Sequence, residues 1–185
     1  MLLIMQKTMK SIQLLLNEVF GQIDLDPATN SAFTQARSHL KHTAFIEFKQ
    51  KAIVAEYYQD DAYQRYQGFR LLAIDSSKLR LPDSRDIRDD FGTLNTTNGK
   101  DNHIIGKHAH GLASVCYDVL NRIVIDSQLG GARAYEVDLA VRHLPATQAN
   151  DLLLLDRGYA SDLRLATCIQ QQRQFVVRCS AGSFQ

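Results

Sequence analysis

Residues 151–159 read Asp151-Leu152-Leu153-Leu154-Leu155-Asp156-Arg157-Gly158-Tyr159. The run of leucines is too short for a free-standing helix and predicts a strand that is buried on both faces. The run stops at Asp156, and Gly158 gives the chain the freedom to turn towards a following helix. A carboxylate at the end of a buried strand lies at the rim of a sheet, where open α/β sheets place their ligands. The alternative is an acid held by backbone amides at a strand-to-helix corner.

A second apolar run ends in the same way. Residues 69–74 are mostly apolar, predict a strand, and are followed directly by Asp75. Two such acids, each at the end of one of two adjacent central strands, are expected to converge. Carboxylates that close repel each other and need a proton or a cation between them. Mg²⁺ takes oxygen ligands and uses one or two protein carboxylates, so Asp75 and Asp156 predict a divalent-metal site.

Length and composition are those of an ordinary globular chain. The 185 residues are 45% hydrophobic and 22% charged, enough for one domain and a small appendage with a real core. The net charge of +1 provides no bulk attraction for a polyanion, so nucleic-acid contacts would depend on local patches. The three cysteines lack CxxC spacing, and no apolar run suits a signal peptide or a membrane span. We therefore expect a cytoplasmic protein with no membrane partner.

The chain divides into a helical part and a mixed part. Apolar residues at three- and four-residue spacing predict helices over residues 1–20, over residues 30–40 and from residue 43 onwards. Three short helices are typical both of a plain helical bundle and of helix–turn–helix DNA readers, and the pattern alone favours the bundle. We expect the helical module to span residues 1–66 and the mixed part to span residues 67–185.

The mixed part predicts an α/β fold. A strand is followed by a polar loop over residues 83–106, a hairpin turning at residues 118–121, and then helices alternating with strands. Strands in antiparallel series followed by strands reached through helices give a mixed sheet with flanking helices. Asp126 ends the return strand of the hairpin and is a rival third carboxylate, expected to lie further from the metal site. His108 and His110 lack a third ligand at metal-binding spacing, which favours loop hydrogen bonds or phosphate contacts.

Five short motifs occur in a specific order and spacing. They are Ser31-Ala32-Phe33-Thr34-Gln35-Ala36-Arg37, Ala73-Ile74-Asp75-Ser76-Ser77-Lys78-Leu79-Arg80-Leu81-Pro82, Ala113-Ser114-Val115-Cys116-Tyr117-Asp118-Val119-Leu120-Asn121, Leu155-Asp156-Arg157-Gly158-Tyr159 and Phe175-Val176-Val177-Arg178. Together they resemble the insertion-sequence-four family of bacterial DDE transposases, and the resemblance covers most of the chain. It implies a ribonuclease-H-like core in which Asp75 and Asp156 are the first two of three catalytic, metal-binding acids. The implied cofactor is Mg²⁺ (or Mn²⁺), of the two-ion type once the full site is assembled.

The resemblance also implies a partner, double-stranded DNA at transposon ends, and a possible homodimer of the complete protein. The implied reaction is cut-and-paste DNA transposition, through metal-dependent phosphodiester hydrolysis and strand transfer. In relatives the helices before Gly68 correspond to a region that contacts transposon-end DNA, which reverses the preference for a plain bundle. Near the acids, the predicted DNA contacts are Lys78, Arg80, Arg157, Tyr159 and Arg178.

One part of the family pattern is missing. The third acid of the family is a glutamate in a Tyr–Arg–Glu–Lys pattern beyond a β-rich insertion, and no glutamate follows Asp156 in this sequence. We therefore expect a truncated transposase with an incomplete catalytic domain that does not cut or join DNA as it stands. The alternative is a non-catalytic, DNA-binding transposase remnant that modulates the full-length enzyme. A metal-dependent nuclease unrelated to transposition fits less well, because it needs the same missing acid.

Overall fold

The fold is described by a computed structural model covering residues 10–99, 103–160 and 162–179. The chain divides into two compact units, Met1–Ala55 and Glu56–Gln185. The boundary predicted from the sequence lay between residues 66 and 67, so residues 56–66 belong with the second unit. Among the described residues, no helix combines the length and the apolar character needed to cross a membrane.

The first unit is helical. Its helices are α1 (Ile12–Gln22), α2 (Asn30–Ser38) and α3 (Thr43–Phe48), and α3 continues as a π-helix (Lys49–Val54). A final α-helical turn (Ala55–Tyr57) begins at the last residue of this unit and ends in the second. Ser11 and Thr29 begin α1 and α2, because their hydroxyls accept hydrogen bonds from amides of the first helical turn. The part of the first predicted helix that falls on residues 1–9 lies outside the described residues.

The second unit is a mixed sheet with helices. Its strands are β1 (Arg70–Arg80), β2 (Thr93–Thr97), β3 (Ile104–Asp118), β4 (Ile123–Gly131), β5 (Asp151–Leu155) and β6 (Gln174–Val177). Its helices are α4 (Arg85–Phe91), α5 (Glu136–Arg142) and α6 (Asp162–Gln170), with 3₁₀ turns at Leu144–Ala146 and Arg157–Tyr159. The α/β class and the mixed sheet predicted from the sequence are therefore confirmed.

Strand β3 organises the antiparallel part of the sheet. It pairs with β1, with β2 through its first half and with β4 through its second half. Strand β1 then pairs in parallel with β5, and β5 pairs in parallel with β6. Helix α6 joins β5 to β6, because neighbouring parallel strands need a crossover connection. The two apolar runs singled out in the sequence are thus neighbours in the centre of the sheet.

The two faces of the central strands have different surroundings. The covered face consists of side chains that are buried beneath α5 and α6: Leu72, Ile74, Leu153 and Leu155. The open face consists of the alternate side chains, which stay partly exposed: Leu71, Ala73, Leu152 and Leu154. Each large side chain on the covered face contributes about 1.5–3 kcal/mol through burial. The hydrophobic core of this unit therefore lies on one side of the sheet.

Three local predictions were wrong. Residues 83–106, predicted as a loop, contain α4, β2 and the start of β3, because pairing with β3 stabilises a strand of polar sequence. Strand β1 does not end at Asp75 but continues to Arg80, since its pairing with β3 persists after its pairing with β5 has stopped. Strand β4 likewise continues past Asp126, which pairs with Cys116 of β3.

Candidate metal centre on the open face

Three ionisable residues form a row at the carboxyl ends of the parallel strand pairings: Asp75, Asp156 and Arg178. Each directly follows one of three residues that are register partners in adjacent strands: Ile74, Leu155 and Val177. Because side chains alternate along a strand, Asp75 and Asp156 project on the open face and not towards α5 and α6. The sheet thus places two acids from distant parts of the sequence at the same height on neighbouring strands.

This row lines an open depression of about 440 Å³. The side chains of Asp75 and Asp156 are both exposed, and Oδ1 of Asp75 accepts a hydrogen bond of 2.8 Å from the amide of Ser76. Nη1 of Arg178 lies 3.9 Å from Oδ1 of Asp156, and these two side chains are 75% and 61% exposed. An ion pair this long and this exposed is weak, so Arg178 does not neutralise the acids.

Tyr159 supports the site and does not line its surface. Its side chain is 2% exposed, and its hydroxyl lies 2.9 Å from Oγ of Ser76, to which it donates a hydrogen bond. The amide of Tyr159 also donates to the carbonyl of Asp156 within the 3₁₀ turn. The turn after Asp156 directs the ring into the protein, a placement that does not favour the predicted contact of Tyr159 with DNA, and that contact stays a prediction. The hydrogen bond between Tyr159 and Ser76 connects the turn after Asp156 to the residue after Asp75.

The other four predicted DNA contacts are exposed but do not form one group: Lys78, Arg80, Arg157 and Arg178. Arg157 directly follows Asp156 in the sequence, and Arg178 lies next to Asp156 in the row of three ionisable residues. By strand alternation, Lys78 and Arg80 project on the opposite face of β1 from Asp75. Nη2 of Arg80 lies 3.0 Å from Nδ1 of His108. The structure therefore brings two of the four close to the acids and separates the other two from them.

A buried polar network on the covered face was missed by the sequence analysis. Nδ1 of His143 lies 2.7 Å from Oδ2 of Asp126, and Nε2 of His143 lies 3.0 Å from Oγ of Ser114. Ser114 and His143 have no exposed surface. Burial by itself raises the pKa of Asp126, but hydrogen bonds from His143 and Gln128 outweigh burial and hold that pKa below its ordinary value.

Asp126 does not join the two acids of the open face. It pairs with Cys116, which in turn pairs with Ile74, so Asp126 shares the covered face with them. Its carboxylate is hydrogen-bonded to His143. No sequence motif pointed to His143. One signal was available, since Ser114 lies inside a quoted motif as a polar residue in a strand otherwise rich in apolar residues.

A second polar cluster joins α4 to β3. Asp83 accepts hydrogen bonds from the Arg88 guanidinium at 2.8 and 2.6 Å and from the amide of Ala109 at 3.1 Å. These bonds, together with one from His108, hold the pKa of Asp83 below its ordinary value. Nδ1 of His110 lies 2.9 Å from the carbonyl of His108, in line with the predicted role in local hydrogen bonding. Because Arg88 already pairs with Asp83, this cluster is structural.

A protein-family model and a curated protein are similar to this chain, and the family model covers both acids. A protein-family model described as "Transposase DDE domain" matches residues 66–183. The protein described as "Putative transposase InsZ", from Escherichia coli (strain K12), is 27% identical over 158 residues. The match covers 82% of this chain and 49% of that protein, so the chain spans about half the length of the curated relative it matches.

Two solved structures are also similar. The "Mos1 transposase paired-end complex with left transposon end" matches with a TM-score of 0.38 and 10% identity, over 91% of this chain and 55% of that chain. The "Crystal structure of the Mos1 Strand Transfer Complex" matches with a TM-score of 0.36 and 10% identity, over 90% and 54% of the two chains. At these TM-scores neither structure supports a conclusion about this chain.

Proposed function

Because this chain belongs to the family of transposase DDE domains, we propose that it carries two of the metal-binding, catalytic acids of a DNA transposase, Asp75 and Asp156. One observation carries this proposal: the two acids follow register partners of adjacent parallel strands and share the open face. The motifs around them support membership of the insertion-sequence-four family and a ribonuclease-H-like core. DNA transposition is the proposed activity of a complete transposase, to which this chain contributes these two acids.

Transposases of the DDE family use divalent metal ions, and the two acids fit such an ion. Both are exposed carboxylates beside an open depression, and Mg²⁺ binds through one or two protein carboxylates while keeping several waters. When bound, such ions activate an attacking oxygen and stabilise a leaving oxygen in phosphodiester displacement. The residues of this chain hold two carboxylates at one height on a rigid sheet and leave the face in front of them accessible to a phosphate.

The proposed partner is double-stranded DNA at transposon ends. Arg157 and Arg178 are exposed beside the acids, where a guanidinium suits a bidentate contact to a phosphate. Lys78 and Arg80 would contact phosphates on the other face of β1. We further propose that the helical module within residues 1–66 binds the same DNA, and that the complete protein is a homodimer. Such contacts release counterions, so binding should weaken steeply as salt rises.

A second candidate function is a non-catalytic, DNA-binding remnant that modulates the full-length enzyme. It is favoured by the small number of ligands: within residues 10–99, 103–160 and 162–179, no group of three or more His, Cys, Asp or Glu side chains is placed to hold a metal ion. Two carboxylates can bind a cation, but phosphodiester chemistry by two ions needs a further ligand. On this view the chain binds metal and DNA without cutting.

Metal binding is tested by titrating the chain with Mn²⁺ and measuring free Mn²⁺ by electron paramagnetic resonance. Asp75→Asn and Asp156→Asn should each weaken binding by about tenfold or more, because each removes one of the two charged ligands of the proposed site. Asp89→Asn is the matched control, since Asp89 is an exposed acid of α4 with a 72% exposed side chain. Equal Mn²⁺ affinity in the wild type and both site variants would contradict the metal site.

The two candidate functions are separated by Mn²⁺-supported nicking of a labelled transposon-end duplex. The remnant predicts no nicking by the chain or by its Asp156→Ala variant, with duplex binding still visible in a fluorescence anisotropy titration at low salt. Nicking by the chain that is lost in Asp156→Ala would show that another side chain completes the site. Absence of duplex binding, or binding unchanged by removal of residues 1–55, would count against the helical module as a DNA reader.

A further inference from the structure

A continuous line of buried and part-buried hydrogen bonds connects the covered face to the main chain of Asp75. Oγ of Ser114, on β3, lies 3.3 Å from the carbonyl oxygen of Asp75 and is oriented to donate to it. The same Oγ lies 3.0 Å from Nε2 of His143, which directly follows α5. Nδ1 of His143 lies 2.7 Å from Oδ2 of Asp126, on β4. Ser114 therefore contacts the peptide group of β1, and His143 and Asp126, from two further elements, lie behind it in the same line of hydrogen bonds.

The combination of serine, histidine and aspartate is not a hydrolytic triad here. A catalytic serine must meet its substrate, whereas Ser114 and His143 are fully buried and Ser114 faces the backbone of β1. The network is also too well partnered to be a vacant ligand site, since Gln128 donates to the same Asp126 oxygen at 2.8 Å. What the arrangement can do is hold its neighbours in place.

The available donors and acceptors determine which atom donates in each contact of the network. An ionised Asp126 only accepts, so Nδ1 of His143 must carry a proton and donate to it. Ser114 has one hydroxyl proton, which it can give either to the carbonyl of Asp75 or to Nε2 of His143. All three contacts are made together only when both ring nitrogens of His143 carry protons and Ser114 donates to Asp75.

We infer that Ser114, His143 and Asp126 are positioning residues, which hold the main chain of β1 at Asp75 and thereby set how its carboxylate faces a divalent cation shared with Asp156. The role in cation binding rests on the metal site proposed above. Strand β1 loses its parallel partner after Ile74, so the peptide at Asp75 is held on that side by no further β5 pairing. Asp75 and Ser76 stay paired with Val115 and Ser114 of β3, and the Ser114 hydroxyl adds a side-chain hydrogen bond to that backbone pairing. Partners that orient metal ligands in this way typically affect metal affinity by 10–100-fold.

The contact to Asp75 is tested without metal, by nuclear magnetic resonance of the full chain. Ser114→Ala should shift the carbonyl carbon signal of Asp75 and the amide nitrogen signal of Ser76, and both ring nitrogens of His143 should be protonated in the wild type. The matched control is Thr147→Val, because Thr147 is also buried and its hydroxyl donates to the Leu144 carbonyl at 2.7 Å. A single ring proton on His143, or unchanged Asp75 and Ser76 signals in Ser114→Ala, would overturn the inference.

The consequence for the cation is tested by the Mn²⁺ titration. Ser114→Ala should weaken Mn²⁺ binding about tenfold, whereas Thr147→Val should leave it within about twofold of the wild type. Equal losses in both variants would mean a general loss of stability and would overturn the positioning role. If Asp75→Asn leaves Mn²⁺ binding unchanged, the metal site fails together with this consequence, while the carbonyl signal still decides the contact to Asp75.

Asp126→Asn is the second variant, in case Ser114→Ala does not fold. Asparagine has the same shape as aspartate, and the Asp126 side chain is 16% exposed in the wild type. This substitution is therefore easier to accommodate than a change at the fully buried Ser114. It should shift the same Asp75 and Ser76 signals in the same direction and weaken Mn²⁺ binding by a smaller factor. A shift confined to β4 and His143 would show that the network stops before β1 and would overturn the inference.

Discussion

Asp151 and Asp156 stand at the two ends of one six-residue stretch, formed by strand β5 and the residue after it, yet their surroundings are opposite. Asp151 is fully buried and accepts two hydrogen bonds of 2.8 Å from Arg70, its register partner on β1. Asp156 is exposed, and the residue at the matching position of β1 is a second acid, Asp75. The same pair of strands therefore carries a neutralised pair at one end and two like charges at the other.

This difference separates a structural acid from a candidate functional one. A buried carboxylate needs hydrogen bonds or a cationic partner to offset its lost hydration, and the guanidinium of Arg70 supplies both in bidentate geometry. Two acids in register gain nothing from each other and are stable only where water or a cation screens them. Arg178, at 3.9 Å from Asp156, is too remote to play the part that Arg70 plays for Asp151. The end without a built-in partner is the end where a ligand is expected.

The largest effect is expected from the same substitution made at the two ends. Asp151→Asn leaves the Arg70 charge buried without its partner and should lower the free energy of unfolding by about 3–5 kcal/mol. Asp156→Asn removes an exposed acid from a like-charged neighbour and should change stability by no more than about 0.5 kcal/mol. Urea unfolding of both variants measures the difference. Similar losses would show that the two ends do not differ as described.

An intermediate effect is expected for the contact that joins the two acidic turns. Tyr159→Phe removes the hydroxyl that donates to Ser76 at 2.9 Å and should cost about 0.5–1.5 kcal/mol in the free energy of unfolding. Tyr57→Phe is the control, because the Tyr57 ring is 42% exposed and its hydroxyl donates to Asn121 at 3.2 Å. Thermal unfolding should separate the two variants, and an equal effect of both would remove Tyr159 as a support of the acidic end.

The smallest effect is expected in the pH dependence associated with Asp126, which lies between the two extremes in exposure. Its pKa is held below the ordinary value in the folded protein, so the ionised carboxyl contributes stability above about pH 4, the unfolded pKa. That contribution is lost as the pH falls through the folded pKa. The difference in unfolding free energy between wild type and Asp126→Asn should therefore shrink from pH 6 to pH 3. A difference that does not change over this range would mean that Asp126 is not ionised in the fold.

Some features could be read from local sequence alone. The apolar runs before Asp75 and Asp156 predicted two central strands, and spacing of apolar residues predicted the helices, because burial patterns repeat with the period of the backbone. Both acids were also predicted to follow these runs on neighbouring strands, which is as much of the candidate site as local pattern can show. The interval 83–106 could not be read in this way, because β2 has no apolar alternation and exists through its pairing with β3.

The sequence by itself determined the α/β class and the position of each acid along the chain, since both depend on runs of a few adjacent residues. Only the tertiary structure decided which acid is paired. Register across β1 and β5 placed Arg70 against Asp151 and left Asp75 beside Asp156. Strand alternation likewise put Lys78 and Arg80 on the face of β1 opposite Asp75. The 3₁₀ turn after Asp156 buried Tyr159, whose hydroxyl donates to Ser76, the residue after Asp75. Charge balance at a site depends on partners that are distant in sequence, and no local pattern encodes those partners.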